Sequence, residues 1–281
     1  MIYKTMALNG LIDGWTQSDA ETTLTLYMQE PTAEIDAERT FPCVVICPGG
    51  GYEFTSAREA EPVALRYAAK GYSAVVLRYS TGTKRFPIQL CEVSMTLAWL
   101  RRNCAALHLC ENKIAVCGFS AGGHVAASLS NLYDLPAIRA YLSIAPEENK
   151  PNAAVLCYPV ITSGAFAHRG SFEHLIDAKT DAAMQEKISL ENSVHANCPP
   201  TFLWHTADDT CVPVENSLLY AMALRRFQIP LEMHVFLSGV HGLSLADSNT
   251  TNVPEGKQRD IAEWFDMSVR FLDRIFALDR F

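Results

Sequence analysis

Long hydrophobic runs are absent from this sequence of 281 residues, and no apolar stretch approaches the ~20 residues that span a bilayer. The first residues, MIYKTMALNGLIDGW, lack the charged region and the continuous apolar run of a secretory signal. We therefore expect a cytoplasmic protein that does not bind membranes. Positive charge is also scarce. The formal net charge of -8 argues against nucleic acid as a partner.

Paired cysteines are absent as well. The nine cysteines are odd in number and form no CxxC pair. Several lie in apolar runs such as FPCVVIC and KIAVCGF, where Cys behaves as a small hydrophobic residue. The sequence therefore predicts reduced thiols and favours neither disulfides nor zinc. We expect no metal and no other cofactor, and a homodimer is compatible with this composition.

Short apolar runs alternate with longer helical patterns along the chain. The predicted strands are Thr22–Met28, Cys43–Cys47, Ser73–Arg78, Ile114–Gly118, Ala154–Cys157, Thr201–His205 and Leu231–Leu237. The predicted helices are Arg58–Ala69, Ile88–Cys104, Gly122–Leu132, Val214–Phe227 and Lys257–Phe276. Continuously apolar strands are typical of a parallel sheet that is buried on both faces. The pattern predicts an α/β fold with a doubly wound, mostly parallel sheet and helices on both faces.

No repeat, low-complexity tract or linker divides the chain, so we expect one domain over residues 1–281. Ile161–Pro200 breaks the strand–helix alternation with the polar turns SFEHLID and SLENSVHANCPP. This stretch is interpreted either as a small cap insertion over the functional site or as an irregular surface connection.

The segment Gly118-Phe119-Ser120-Ala121-Gly122 lies between a predicted strand and a predicted helix. In this context GxSxG indicates a sharp turn that raises a nucleophilic serine above the sheet. Small residues two positions to either side are needed because larger side chains would clash there. Ser120 is thus the candidate nucleophile.

A serine hydroxyl is a weak nucleophile at neutral pH and needs a base that a third group orients. In this fold the acid and then the histidine follow the serine along the chain. Asp208 and Asp209 follow the strand TFLWH, and His241 follows the strand LEMHVFL in a glycine-flanked turn. The sequence therefore predicts His241 as the base and Asp209 as the acid, with Asp208 as the alternative acid. His124, on the helix after Ser120, is expected to point away from the site or to pack beneath it.

Pro48-Gly49-Gly50-Gly51 follows the predicted strand CVVIC. The spacing does not fit a phosphate-binding GxGxxG or GKS/GKT motif. Consecutive glycines let backbone N–H groups approach a substrate oxygen closely. We expect an oxyanion hole in which Gly50 or Gly51 and Ala121 donate.

Several motifs resemble those of bacterial esterases and lipases related to acetylxylan esterases, and more broadly hormone-sensitive-lipase-like and prolyl-oligopeptidase-like hydrolases. They are CPGGGYEFTSAREAEPVA, GFSAGGHVAASL, CYPVI, SLENSV, PPTFLWHTADDTCVPVENSLLYAMAL and GVHGLSLA. The resemblance covers the chain from about Pro42 to His241 and implies an α/β-hydrolase fold and a metal-independent carboxylic ester hydrolase. Two features depart from it: Pro48 precedes the glycines where many relatives have His, and His205-Thr206 stands where His-Gly is frequent.

The predicted substrate is a small acyl ester, and the resemblance favours an O-acetyl group on a sugar or xylo-oligosaccharide. Tyr52, Phe54 and Tyr79 are candidates to stack on a sugar ring, and they equally suit core or rim packing. An amide hydrolase that uses the same triad is the alternative within this fold, as in a small peptidase or a formamidase. A non-catalytic binding protein is the alternative from another class, although it would be expected to have a broken triad.

Overall fold

The strands form where short runs rich in β-branched and other apolar residues occur in the sequence. A computed structural model describes residues 1–12, 14–176 and 182–278 of the chain. Within them the strands are β1 (Ile2–Ala7), β2 (Thr23–Met28), β3 (Phe41–Cys47), β4 (Ser73–Arg78), β5 (Leu109–Phe119), β6 (Ala153–Cys157), β7 (Thr201–Thr206) and β8 (Leu231–Phe236). The predicted strands all form. β1 was not predicted because its mostly exposed residues carry no apolar alternation.

These strands form one sheet in the order β1-β2-β4-β3-β5-β6-β7-β8. β1 and β2 pair antiparallel, as do β2 and β4, whereas every neighbouring pair from β4 to β8 is parallel. The register pairs Cys47 with Gly118 and Phe119 with Cys157, so the carboxyl ends of neighbouring central strands lie side by side. Loops that follow these strands therefore meet at one edge of the sheet, where such folds bind ligands.

The helices cover both faces of the sheet, as predicted. They are α1 (Glu61–Ala69), α2 (Ile88–Arg102), α3 (Ala121–Leu132), α4 (Pro136–Tyr141), α5 (Arg169–Leu175), α6 (Ala182–Lys187), α7 (Glu215–Arg226), α8 (Arg259–Ala262) and α9 (Trp264–Ile275). Apolar residues of α2, α3 and α7 pack on one face of the sheet. Residues of α1 and α9 pack on the opposite face, against alternate side chains of the same strands.

Two of the predicted helices are interrupted. The predicted helix Arg58–Ala69 consists of a 3-10 turn, Ala57–Glu59, and α1, separated at Ala60, whose φ and ψ of -105° and -104° are not helical. The predicted helix Lys257–Phe276 is divided into α8 and α9. Among the described residues, no helix has both the length and the apolar character needed to cross a membrane.

Candidate active site

Ser120 occupies the tight turn between β5 and α3. Its φ of 51° and ψ of -119° lie in a region that residues with side chains rarely adopt. Hydrogen bonds fix the turn on both sides: the Ser120 N–H donates to the Cys157 carbonyl at 3.0 Å, and its carbonyl accepts from the Val160 N–H at 3.0 Å. The strained backbone therefore presents the hydroxyl at the carboxyl edge of the sheet, as the GxSxG spacing predicts.

The flanking glycines leave no room for a side chain. A Cβ at Gly118 would lie 2.2 Å from the Gly122 carbonyl oxygen, and a Cβ at Gly122 would lie 2.1 Å from the Cys47 carbonyl oxygen. Both clashes are with backbone, which cannot rotate away. Steric exclusion by β3 and by the turn itself thus explains why small residues are required at these two positions.

The structure brings the predicted base to the predicted nucleophile. His241 Nε2 lies 2.9 Å from Ser120 Oγ, and His241 Nδ1 lies 2.6 Å from Asp209 Oδ2. When the Nδ1–H donates to the carboxylate, the Nε2 lone pair is free to accept the serine proton. The three side chains therefore form one continuous hydrogen-bonded chain.

Asp209 is buried, with 6% of its surface exposed, and its second oxygen is also occupied. Oδ1 accepts from the backbone N–H groups of Cys211 and Val212 at 2.9 and 3.0 Å. Burial by itself raises the pKa of Asp209, but hydrogen bonding from His205 and His241 outweighs it and holds the pKa below its usual range. Asp209 is therefore ionised at neutral pH.

Asp208, the alternative acid, faces a different group. Its carboxylate accepts from Ser238 Oγ at 2.6 Å and from the Gly239 N–H at 2.8 Å, and the Ser238 hydroxyl lowers the pKa of this exposed carboxyl. Because Ser238 and Gly239 come shortly before His241 in the chain, Asp208 ties the loop after β7 to the loop after β8. Of the two aspartates, only Asp209 contacts the imidazole.

The glycine loop after β3 lies beside the nucleophile. Gly50 and Gly51 have φ values of 129° and 64°, which favour glycine, and a Cβ on Gly50 would lie 2.2 Å from the Phe54 carbonyl oxygen. Their backbone N–H groups donate to no residue that the structure describes. Ala121 opens α3, so its N–H has no acceptor within the helix. These are the three donors predicted for the oxyanion hole.

The three aromatic candidates lie in different environments. Tyr52 and Tyr79 are buried, at 2% and 3% exposed, and their hydroxyls hydrogen-bond to His124 Nδ1 and the Pro48 carbonyl at 2.8 Å each. Their rings are enclosed by protein, so the geometry contradicts sugar stacking for both and supports the packing alternative. Phe54 is 57% exposed and lines the cleft that contains Ser120 and His241.

The cleft above these residues has a volume of about 600 Å³. It is lined by the glycine loop, by Phe54, Arg58 and Glu59, by Ser120 and His241, and by His168. His168 precedes the acid in the chain and lies directly before α5, which brings it to the cleft. Within the described ranges, no group of three or more His, Cys, Asp or Glu side chains is arranged to hold a metal ion.

The stretch Ile161–Pro200 contacts the site from one side, although residues 177–181 lie outside the described residues. His174 Nδ1 lies 2.9 Å from the Gly51 carbonyl oxygen, and the Ile188 carbonyl lies 2.8 Å from His124 Nε2. These contacts place parts of the stretch against the glycine loop and the nucleophile helix. That the stretch caps the site stays a prediction.

Sequence reasoning missed one buried acid, Glu59, which is 3% exposed. Its Oε2 accepts from the Gly49 N–H at 2.8 Å, and its Oε1 accepts from the Tyr158 hydroxyl at 2.7 Å. A continuous helix was predicted here, in which a first-turn Glu is ordinarily solvated. The break at Ala60 was the missing signal, since it separates Glu59 from the helix.

The chain is similar to known proteins over most of its length. The BD-FAE family matches residues 30–224 of the chain. Endo-1,4-beta-xylanase B of Butyrivibrio fibrisolvens is 36% identical over 209 residues, which make up 73% of this chain and 33% of that protein. Acetylxylan esterase of Xylanibacter ruminicola is 27% identical over 207 residues, 71% of this chain and 40% of that protein. The chain thus spans between a third and two fifths of the length of these two relatives.

A solved structure resembles the whole chain. The acetyl ester-xyloside bifunctional hydrolase from Caldicellulosiruptor lactoaceticus is 33% identical and superposes with a TM-score of 0.84, covering 98% of this chain and 97% of that one. The α/β-hydrolase fold and the resemblance to esterases related to acetylxylan esterases, both predicted from the sequence motifs, are confirmed by these likenesses.

Proposed function

The chain belongs to the BD-FAE family, and we propose that it is a serine hydrolase that removes small acyl groups, above all O-acetyl groups, from sugars or xylo-oligosaccharides. The names of its relatives agree with the predicted class, carboxylic ester hydrolase. The observation that carries the proposal is the hydrogen-bonded chain of Ser120, His241 and Asp209 beside a glycine loop whose N–H groups are available.

In the proposed mechanism, His241 Nε2 takes the proton of Ser120 as Oγ attacks the ester carbonyl carbon. Asp209, which is ionised, holds the imidazole tautomer and stabilises the imidazolium that forms. The developing oxyanion accepts from Ala121 and from Gly50 or Gly51. His241 then protonates the leaving alcohol. Water, deprotonated in turn by His241, releases the acyl group from Ser120.

The acetyl group is proposed by analogy with two relatives, an acetylxylan esterase and an acetyl ester-xyloside bifunctional hydrolase. The shape of the surface supports a sugar as the alcohol. Phe54 lines both the cleft and a second groove of about 580 Å³, which Glu53, Thr55 and Thr81 also help to line. An exposed aromatic ring with hydroxyl and carboxylate groups beside it suits a polyhydroxylated ring.

The test of the function is a set of initial rates for the wild-type protein and Ser120→Ala. The substrates are 4-nitrophenyl acetate, butyrate and octanoate, acetylated xylo-oligosaccharides, and N-formylkynurenine as the amide. We expect Ser120-dependent acetate release from the sugars, with an unchanged unfolding temperature in the variant. Activity on simple esters alone would leave the alcohol unassigned. Hydrolysis of the amide alone would favour the alternative reading, and full activity of Ser120→Ala would refute the mechanism.

Phe54→Ala tests the sugar contact. We expect KM for acetylated xylo-oligosaccharides to rise about tenfold, because the exposed ring is lost, while KM for 4-nitrophenyl acetate stays unchanged. Phe227→Ala is the matched control, since Phe227 is a similarly exposed phenylalanine at the end of α7, outside the residues that line the cleft. An equal KM for the oligosaccharide in all three proteins would remove Phe54 from the binding site.

A further inference from the structure

Glu59 connects groups from three loops around the cleft. It lies in the 3-10 turn before α1 and accepts from the Gly49 N–H, at the start of the glycine loop. It also accepts from the hydroxyl of Tyr158, the residue that follows β6. The Tyr158 oxygen in turn accepts from the backbone N–H of Ser244 at 2.8 Å, three residues after His241. One buried carboxylate thus connects the glycine loop to the histidine loop, the loop after β8 that carries His241.

The histidine loop is fastened to the same turn at a second point. Ser244 Oγ donates to the Arg58 carbonyl at 2.7 Å, and the Ser244 backbone has a φ of 52°. The Tyr158 ring lies edge-on to the His241 ring, with 5.0 Å between centroids. A shift of Glu59 would therefore move the oxyanion donors and the imidazole relative to each other.

The contacts require a carboxylate in particular. Gly49 and Tyr158 both donate to Glu59: the single proton of the Tyr158 hydroxyl goes to the carboxylate, while the Tyr158 oxygen accepts from the Ser244 N–H. An amide at this position would turn its NH2 group towards one of these donors. Burial raises the pKa of Glu59, and the hydrogen bonds from Tyr158 and Gly49 counter that effect. A negative charge at this position would oppose a developing oxyanion, so a geometric role accounts for Glu59 better than an electrostatic one.

We propose that Glu59 is a positioning residue, which fixes the glycine loop and the His241 loop relative to each other on either side of Ser120. The inference rests on the proposed function. Under this proposal Glu59 does not contact the substrate, and its replacement changes the rate of the chemical step rather than substrate binding. Misplacement of reacting groups by about 1 Å costs on the order of 100-fold in rate.

The matched control is Glu92 on α2, a second buried carboxylate at 0% exposed. It accepts from the Ser80 N–H at 2.8 Å and also hydrogen-bonds to Ser80 Oγ. Among the described residues it forms no hydrogen bond with the glycine loop or the His241 loop. Glu59→Gln and Glu92→Gln both replace a buried carboxyl group by an amide of nearly the same size, but only Glu59→Gln breaks a link to the site.

The experiment compares the wild-type protein, Glu59→Gln, Glu92→Gln and Tyr158→Phe. The readouts are kcat and KM for 4-nitrophenyl acetate, the rate of Ser120 labelling by a fluorophosphonate, and the unfolding temperature. For Glu59→Gln we expect kcat and the labelling rate to fall about 100-fold with KM unchanged. For Tyr158→Phe we expect a fall of about tenfold, because the Gly49–Glu59 and Ser244–Arg58 bonds remain. Glu92→Gln should retain the wild-type kcat and labelling rate.

Wild-type rates in Glu59→Gln, or an equal loss in Glu92→Gln, would overturn the inference. If Glu59→Gln does not fold, Tyr158→Phe decides in the same way, since it keeps the ring and removes only the hydroxyl. The labelling rate separates this inference from the proposed function. A wild-type protein that labels at Ser120 but hydrolyses no ester contradicts the function and leaves the Glu59 comparison measurable. A wild-type protein that does not label leaves no nucleophile to position, which also overturns the inference.

Discussion

The two glycine turns and the two loops that carry Asp209 and His241 hold their groups in place by different means. In the glycine turns, Gly50, Gly118 and Gly122 lie so close to other backbone that a Cβ has no space. In the acid and histidine loops, side-chain hydrogen bonds fix the backbone, as Asp208 does through Ser238 and Gly239. Placement by close packing tolerates almost no change of volume, whereas placement by hydrogen bonds tolerates changes of volume better than changes of charge or donor pattern.

The largest effect is expected for Gly122→Ala. The new Cβ would lie 2.1 Å from the Cys47 carbonyl oxygen and 2.4 Å from that of Pro48, so β3 and α3 would have to separate. We expect the free energy of unfolding to fall by about 3 kcal/mol or more, with loss of nearly all esterase activity, measured by urea denaturation and by 4-nitrophenyl acetate turnover.

Gly82→Ala is the control for this substitution. Gly82 has a φ of 71° and nothing within 4 Å of an added Cβ, so only backbone strain opposes the change. That strain costs about 1–2 kcal/mol. Equal losses in the two variants would show that crowding does not set the nucleophile turn.

The neighbouring aspartates test the hydrogen-bonded loops. Asp209→Asn should lower kcat ~10³–10⁴-fold, because the amide neither stabilises the imidazolium nor enforces the tautomer that leaves Nε2 free. Asp208→Asn, which changes the loop contact alone, should lower kcat no more than about tenfold, since the amide oxygen still accepts one of the two bonds. The reverse order of effects in kcat would make Asp208 the acid.

The difference between placement by packing and placement by side-chain hydrogen bonds also explains which parts of the site could be predicted from the sequence. Ser120, His241 and the glycine loop follow apolar strands directly, and because strand ends meet at one edge, their proximity follows from strand order. Asp209 accepts from the N–H groups of Cys211 and Val212, which are close in the chain, whereas the partner of Asp208, Ser238, lies 30 residues away and could not be identified from the neighbouring sequence. Burial of Tyr52 depends equally on distant partners: its hydroxyl pairs with His124, 72 residues away in the chain.

The smallest expected effect is a loss of unfolding free energy in acid that arises at His124. It can be measured without disturbing the site chemistry. His124, expected to point away from the site or to pack beneath it, is fully buried and joins the nucleophile helix to Tyr52 and to the Ile188 carbonyl. Burial lowers its pKa to about 4, partly offset by the bond to Ile188. An unfolded histidine titrates near its ordinary pKa of about 6.5, so between these values only the unfolded chain binds the proton.

The free energy of unfolding should therefore fall as the pH is lowered from about 6.5 to 4, and His124 should account for about 2–3 kcal/mol of the loss between pH 7 and pH 4.5. Urea denaturation at the two pH values measures this loss, which His124→Gln should lack. His234→Gln is the control, because it removes a partly exposed histidine on β8, beside Glu232, and leaves His124 in place. Asp209 has a lowered pKa, so its stabilisation is lost only at still lower pH. As the pH falls, the packing around His124 is thus expected to lose stability before the bond between Asp209 and His241 does. An identical pH dependence in wild-type protein and His124→Gln would contradict that order.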